Sequence, residues 1–342
     1  MNQKIDMQWA DNVVTYLKEK VFTKKRMNST RNWIWAFFRF FLLFGLSVVI
    51  LYPLLNMFTL AIRPVEEISD PLVVWIPRSL TFENIVQAWK IGDGFPICFS
   101  TSVLLSLLGS LLSIISCSLA GYGFARFKFK GREALFALVL ATIIVPPQVY
   151  LVSQYLDFYQ FDFFFIGSII EGIGKIFGGD WNVSVNLIDN YLTLFMPALF
   201  GMGIRAGLYI YIFRQFFRGM PKELEDAAYI DGCGPIKTFL RVMAPNASSA
   251  FLTVFLFAFV WYWNDYVYIA MFMNRVTTVT AQLLRGTRSE MWSIGTGASA
   301  DWHKRSVWTQ ALCLMGIAPL IIMYAFLQRY FIESVDRTGI VG

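Results

Sequence analysis

The chain has 342 residues, of which 56% are hydrophobic, 17% aromatic and 15% charged, with a formal net charge of +6. An ordinary soluble domain carries about 25% charged residues, and a soluble chain this apolar would have to bury more surface than domains of its length hide. A typical cytosolic enzyme is therefore excluded, and the basic surplus is left to nucleic acid, anionic lipid or membrane topology.

In chain order, residues 1–33 are polar and basic, with no apolar core of a signal peptide. Tyr16 to Arg26 suits either a basic helix lying on anionic lipid or a disordered topology signal. Six apolar runs follow, each long enough to cross a hydrocarbon layer roughly 30 Å thick. They are Ile34 to Leu60, Cys98 to Phe124, Ala134 to Leu156, Tyr191 to Phe216, Ser249 to Met273 and Trp308 to Tyr330. In lipid such runs must satisfy their own backbone hydrogen bonds, so they predict helices. The expected fold is all-α, a polytopic membrane protein of six transmembrane helices.

Basic residues cluster before the first run (Lys18, Lys20, Lys24, Lys25, Arg26), after the second (Arg126, Lys128, Lys130, Arg132) and after the fourth (Arg214, Arg218, Lys222, Lys237, Arg241). Cytoplasmic loops carry such an excess. Both termini are thereby expected in the cytoplasm, and the surplus becomes an orientation signal with no patch left for nucleic acid. The transmembrane unit is expected over 34–331, with a polar cytoplasmic tail over 332–342. An outer insertion over 158–190 carries isoleucines at helical spacing (Ile166, Ile169, Ile170, Ile173, Ile176), which predicts an amphipathic interfacial helix. Thr81, Phe82 and Glu83 predict the start of a short surface helix. Pro146 and Pro147 interrupt the third run and predict a bend there.

The loop over 219–246 reads as two short helices around a glycine turn. Pro221 fits a first helical position, Glu223, Glu225 and Asp226 favour a helix N-terminus, and Gly232 fits a stop with positive φ. Pro235 starts the second helix and Pro245 is expected to end it. Ala227 and Ala228 leave a face of little bulk that suits a partner's groove, although a solvated hairpin fits the same residues.

Within the fifth run, Trp261, Trp263, Asn264, Asp265 and Tyr266 combine flat aromatic faces with polar groups. That composition suits sugar rings, and equally an aromatic belt at the membrane interface. Asp265 and Arg205 are costly in a span unless they face a polar interior. They are candidates for the solute path, for a mutual pair, or for bracing.

Chemistry has little foothold. His303 is the single histidine and fits an exposed loop, and the four cysteines lie far apart as apolar fillers with no metal or disulfide spacing. Gly172 to Lys175 is a fragment of a phosphate loop without its remainder, so no ATPase site is expected in this chain. A secondary transporter would call for internal repeats and more buried ionisable groups, and an intramembrane enzyme for a nucleophile, metal or paired acids.

The loop resembles the cytoplasmic signature of binding-protein-dependent ABC importer permeases. Asp226, Ala227 and Ala228 stand at its Glu-Ala-Ala triplet, Asp231 and Gly232 at its Asp-Gly pair, and Pro245 at its closing proline. Asp226 departs from the usual Glu but keeps the charge. The stretches Gly121 to Arg132, Val145 to Val152, Arg214 to Leu224, Trp261 to Tyr268 and the C-terminal LQRYFIESVDRTGIVG are similar to carbohydrate permeases of the maltose-transporter type, specifically the second permease subunit. The longer N-terminus and the outer insertion depart from that pattern.

The resemblance implies an ABC importer type I transmembrane domain, multi-pass in the plasma (inner) membrane of a bacterium. Its first loop helix, with Glu225, Asp226, Ala227, Ala228, Asp231 and Gly232, would be the coupling helix. It implies no cofactor on this chain, with ATP and Mg2+ on a separate ATPase dimer. The further partners implied are a second permease subunit and an extracellular solute-binding protein. It implies a carbohydrate cargo, an oligosaccharide ahead of glycerol phosphate.

Overall fold

The computed structural model describes residues 2–70, 76–91, 94–162, 170, 173, 175–176, 184–287 and 302–339. Nearly all of this backbone is helical, and among the described residues strand pairing is limited to one antiparallel bridge between Phe161 and Val185. Of the expected outer amphipathic helix, positions 170, 173, 175 and 176 are helical and the rest lies outside the described residues.

Helix α1 runs over Asn2–Ala61. At 1.5 Å per residue it is about 90 Å long, so the basic N-terminal segment continues the first expected span without a break. Between Trp33 and Tyr52 its apolar side chains are exposed around the whole circumference, which only lipid or an apolar partner can cover. Helix α2, Glu83–Lys90, begins where the sequence predicts, with the Thr81 hydroxyl accepting from the Glu83 N–H at 3.1 Å. Its buried Asn84 donates to the Ala61 and Arg63 carbonyls at 3.2 and 2.7 Å and so ties α2 to the end of α1. The intervening loop is clasped by Glu67, which accepts from the Arg78 and Ser79 N–H groups and from the Ser79 hydroxyl.

Helix α3, Phe95–Arg126, is the centre of the bundle. Ser102, Ser106, Ser110 and Ser113 are fully buried along it, because small side chains at this spacing let neighbouring helices approach closely. Gly121 is the tightest of these crossings, since a Cβ there would stand 2.5 Å from the Cβ of Phe213. Phe213 belongs to helix α7 (Ala206–Gly219), which lies along α3.

Three of the six expected spans are not single straight helices. The third is divided into α4 (Arg132–Ile144) and α5 (Gln148–Tyr159), which meet at 104° across Val145, Pro146 and Pro147. The fourth is divided into α6 (Leu192–Leu199) and α7, separated by residues 200–205. Pro197 lies at the end of α6, and the positive φ of Gly201 and Arg205 marks the interruption.

Beyond α7 lie α8 (Glu223–Ile230) and α9 (Pro235–Asn246), the latter widened to a π-helix over Phe239–Met243. Pro245 therefore does not end the second loop helix. The chain turns two residues later, at Ala247, and bends by 80° into α10 (Ser248–Asn264). The fifth span divides at Asp265 and Tyr266 before α11 (Val267–Phe272). Helix α12 (Val279–Thr287) is pinned to α3 by its first N–H on the Ser102 hydroxyl at 2.9 Å.

The last helix, α13 (Trp302–Gly339), packs against α1 and α2. It includes His303, expected in a loop, and most of the expected tail. By length and composition, the described helices able to cross a membrane are Asn32–Ala61, Phe95–Arg126 and Lys304–Gln328, and the two bent pairs raise the number to five.

Candidate functional site

The three interruptions converge. A cavity of about 220 Å³ is lined by Pro147 and Tyr150 after the first break, by Met202 to Arg205 in the second, and by Asn264 to Tyr266 in the third. It shares Pro147, Tyr150, Gln154, Arg205 and Trp261 with a wider cleft of about 980 Å³, at the upper end of small-molecule sites. Irregular backbone at membrane depth persists where protein or a polar cavity satisfies it, and here protein groups do so. The Ser116 hydroxyl of α3 donates to the Ala198 carbonyl at 2.6 Å, and the Cys117 thiol to the Ala206 carbonyl at 3.7 Å. Tyr262 is wedged between α3 and the second break, its hydroxyl 3.0 Å from that of Ser113 and its ring against Gly109.

Both charged residues that the sequence singles out stand in these breaks. Arg205 has φ +59 and precedes α7, and its guanidinium lies 4.4 Å from the ring centre of Trp261. Such a stack contributes about 0.5–2 kcal/mol. Asp265 accepts from the Tyr268 N–H at 2.9 Å and so caps α11. The two do not pair with each other, since each is engaged elsewhere.

Trp261, Asn264, Asp265 and Tyr266 line the cavity with Arg205. Trp263 does not. Successive helical residues are about 100° apart, so Trp261 and Trp263 face different ways. Trp263 is buried against Phe99 and Phe259, and its indole N–H donates to the Gly316 carbonyl of α13 at 3.2 Å. Sequence reasoning missed Tyr150 and Gln154, where the double proline was the available signal. Gln154 donates to the Tyr268 hydroxyl at 3.2 Å, and Tyr268 donates to the Thr193 carbonyl at 2.7 Å, joining α5, α6 and α11 around the cavity.

The second candidate region is the α8–α9 hairpin. The Gly232 N–H bonds to the Tyr229 carbonyl and the Cys233 N–H to the Ala228 carbonyl, at 3.0 and 2.9 Å. This is a Schellman stop, and it places Gly232 at φ +79. Asp226, Ala227, Asp231 and Gly232 are exposed, and beside them Ile230 and Ile236 are 87% and 75% exposed. Ala228 is buried under the hairpin, and Glu225 is buried too. The Tyr122 hydroxyl donates to Glu225 Oε1 at 2.7 Å, and Arg126 Nε lies 3.6 Å from Oε2. A second pair, Arg214 with Glu133 at 3.1 Å, joins α7 to α4, with the Arg214 guanidinium over the Phe136 ring.

An apolar helical bundle with broken spans around a largely apolar cavity that a few polar side chains enter, carrying a helical hairpin with an exposed apolar face, is the architecture of a membrane transport subunit. Residues 113–337 match the family described as binding-protein-dependent transport system inner membrane component. This spans well over half of the chain, and the protein belongs to that family: it is an ABC importer permease, located in the inner membrane, and not an enzyme.

A probable ABC transporter permease of Bacillus subtilis, YurM, is 27% identical over 329 residues, 95% of this chain and 93% of that one. The arabinooligosaccharides transport permease AraQ of the same organism is 25% identical over 305 residues, 87% of this chain and 92% of that one. A chain in the crystal structure of a bacterial ABC transporter that imports the acidic polysaccharide alginate shares the fold, with TM-score 0.68 at 19% identity over 87% of this chain and 96% of that chain.

Proposed function

We propose that this chain, paired with a second permease, forms the path for an oligosaccharide delivered by an extracellular solute-binding protein. The α8–α9 hairpin faces the cytoplasm and docks in a separate ATPase dimer, which holds ATP and Mg2+. Asp226, Ala227, Asp231 and Gly232 meet the ATPase, while Glu225 and Ala228 hold the hairpin to the bundle and Pro245 shapes its exit.

One observation carries the solute path: the breaks in three helices meet at a single cavity lined by an aromatic, hydroxyl and amide set. The indole of Trp261 offers a face to an apolar sugar face, and Tyr150, Gln154, Asn264 and Asp265 offer partners to hydroxyls. Relatives named for arabinooligosaccharides and for polygalacturonan and rhamnogalacturonan support a saccharide cargo. Arg205 in the cavity favours, as the second reading, the cargo named in another group of relatives, sn-glycerol 3-phosphate.

The test is uptake by a strain lacking this chain and complemented with it, offered labelled arabinan and pectin oligosaccharides and labelled glycerol 3-phosphate. Saccharide uptake that needs the chain supports the first reading, and uptake of glycerol 3-phosphate alone replaces it with the second. Retention of an ATPase through purification in mild detergent, lost when residues 226–232 are replaced, tests the docking role.

A further inference from the structure

Among the described residues, Glu225 is the most buried acidic residue, 8% exposed, although it lies on a helix whose other carboxylates, Glu223 and Asp226, face solvent. A charged carboxylate in such a place is retained when it is paired and hydrogen-bonded, and removing one partner leaves the other uncompensated. Both partners here stand one turn apart on the last turns of α3, Tyr122 at 2.7 Å and Arg126 at 3.6 Å. Arg126 also donates through Nη2 to the Met220 carbonyl at the end of α7, at 2.7 Å. Phe217 packs edge-on and Phe239 tilted against the Tyr122 ring, with centroids 5.5 and 5.2 Å away.

The other end of this connection lies farther along α3. From Arg126 back to Ser113 is about 20 Å of continuous helix at 1.5 Å per residue. There Ser113, Ser116 and Cys117 bond to Tyr262 and to the carbonyls of Ala198 and Ala206, the groups that frame the second helix break and Arg205.

Resting on the coupling role proposed above, we infer that Glu225 is the positioning residue that locks the docking helix α8 to α3, so that ATPase closure moves α3 as a rod and reshapes the cavity at the second break. The exposed Asp226 meets the ATPase and the buried Glu225 passes the displacement inward. Glu225→Gln keeps the shape and an acceptor for the Tyr122 hydroxyl but removes the charge facing Arg126. Tyr122→Phe removes the hydrogen bond alone.

The experiment uses the complete transporter in lipid nanodiscs, with Cys233 and Cys313 replaced by Ser and spin labels at Ile230→Cys on α8 and Leu119→Cys on α3. In the parent complex the distance between the labels stays narrow and unchanged between nucleotide-free and ATP-vanadate states. In Glu225→Gln the distribution broadens several-fold and shifts with nucleotide. The ATPase remains bound and active, and uptake per ATP hydrolysed falls at least tenfold. Tyr122→Phe gives a smaller change in the same direction, and combining the two adds little to Glu225→Gln. Distances and uptake ratios in both variants equal to the parent's would overturn this inference alone. A parent complex that retains no ATPase would overturn the coupling role, and with it the inference.

Discussion

At Gly232 a single backbone angle decides the shape of the docking hairpin. Its φ of +79 is open to glycine, and a side chain there would meet no neighbour, so the constraint is conformational and not steric crowding. Gly232→Val should cost about 1–2 kcal/mol of local strain, which the short α8 relieves by unwinding its last turn. The expected outcome is a complex that still hydrolyses ATP while uptake is lost, measured as the ratio of uptake to phosphate release. Normal uptake by this variant would remove the hairpin from the coupling role.

Trp261 and Trp263 allow an equally direct comparison. Trp261→Ala removes a cavity face and should raise the solute concentration for half-maximal uptake about tenfold, the equivalent of about 1.4 kcal/mol. Trp263→Phe removes the indole N–H that donates to the buried Gly316 carbonyl, a net contribution of about 0.5–1.5 kcal/mol. It should lower the unfolding temperature in detergent and leave that half-saturation value in place.

The helices themselves were legible in the sequence to the extent that hydrocarbon imposes one rule on every apolar run. The start of α2 and the turn at Gly232 were legible too, because caps and positive φ depend on residues a few positions apart, whereas Pro221, expected at the first helical position, lies two residues before α8. The breaks in the fourth and fifth spans were not. Pro197, Gly201 and Gly203 allow a break without requiring one, and what fixes it is the supply of donors from Ser116 and Cys117, about 80 residues away in the chain. Trp263 is a related case: composition grouped it with Trp261, helical spacing turns the two apart, and the packing of α10 between α3 and α13 decides which of them faces the cavity.

Element-scale packing gives two further tests. Gly121→Ala places a methyl group against Phe213 and should destabilise the α3–α7 contact by about 1–3 kcal/mol, read as a lower unfolding temperature in detergent. In the outer loop, the Ser79 hydroxyl, assisted by the N–H groups of Arg78 and Ser79, holds the Glu67 carboxyl below its ordinary value against the opposing effect of desolvation. A lowered folded value means that the clasp stabilises the loop above the unfolded carboxylate value of about 4.3 and is lost as pH falls through the folded one. Amide exchange at Ser79, corrected for its intrinsic pH dependence, should show steady protection from about pH 8 to 5 and lose it below about pH 4. Glu67→Gln should abolish that step.

For the whole molecule, α3 links the docking hairpin to the region around the cavity. Its C-terminal end carries the bonds to α8, and its middle carries those to the broken backbone around the cavity. The exposed apolar surface of α1 and the open side of the cleft are consistent with lipid and a second permease completing a path that one chain leaves unfinished.

The most direct measurement places a cysteine at Tyr266, on the cavity wall, in the complete transporter reconstituted in sealed vesicles, and follows its labelling by a membrane-impermeant maleimide added from the side that faces the binding protein. If ATPase closure at the hairpin opens this cavity outward, ATP-vanadate should raise the labelling rate at least tenfold over the nucleotide-free state, and Gly232→Val should cancel the rise. Equal labelling rates in the two nucleotide states of the parent complex would contradict the account.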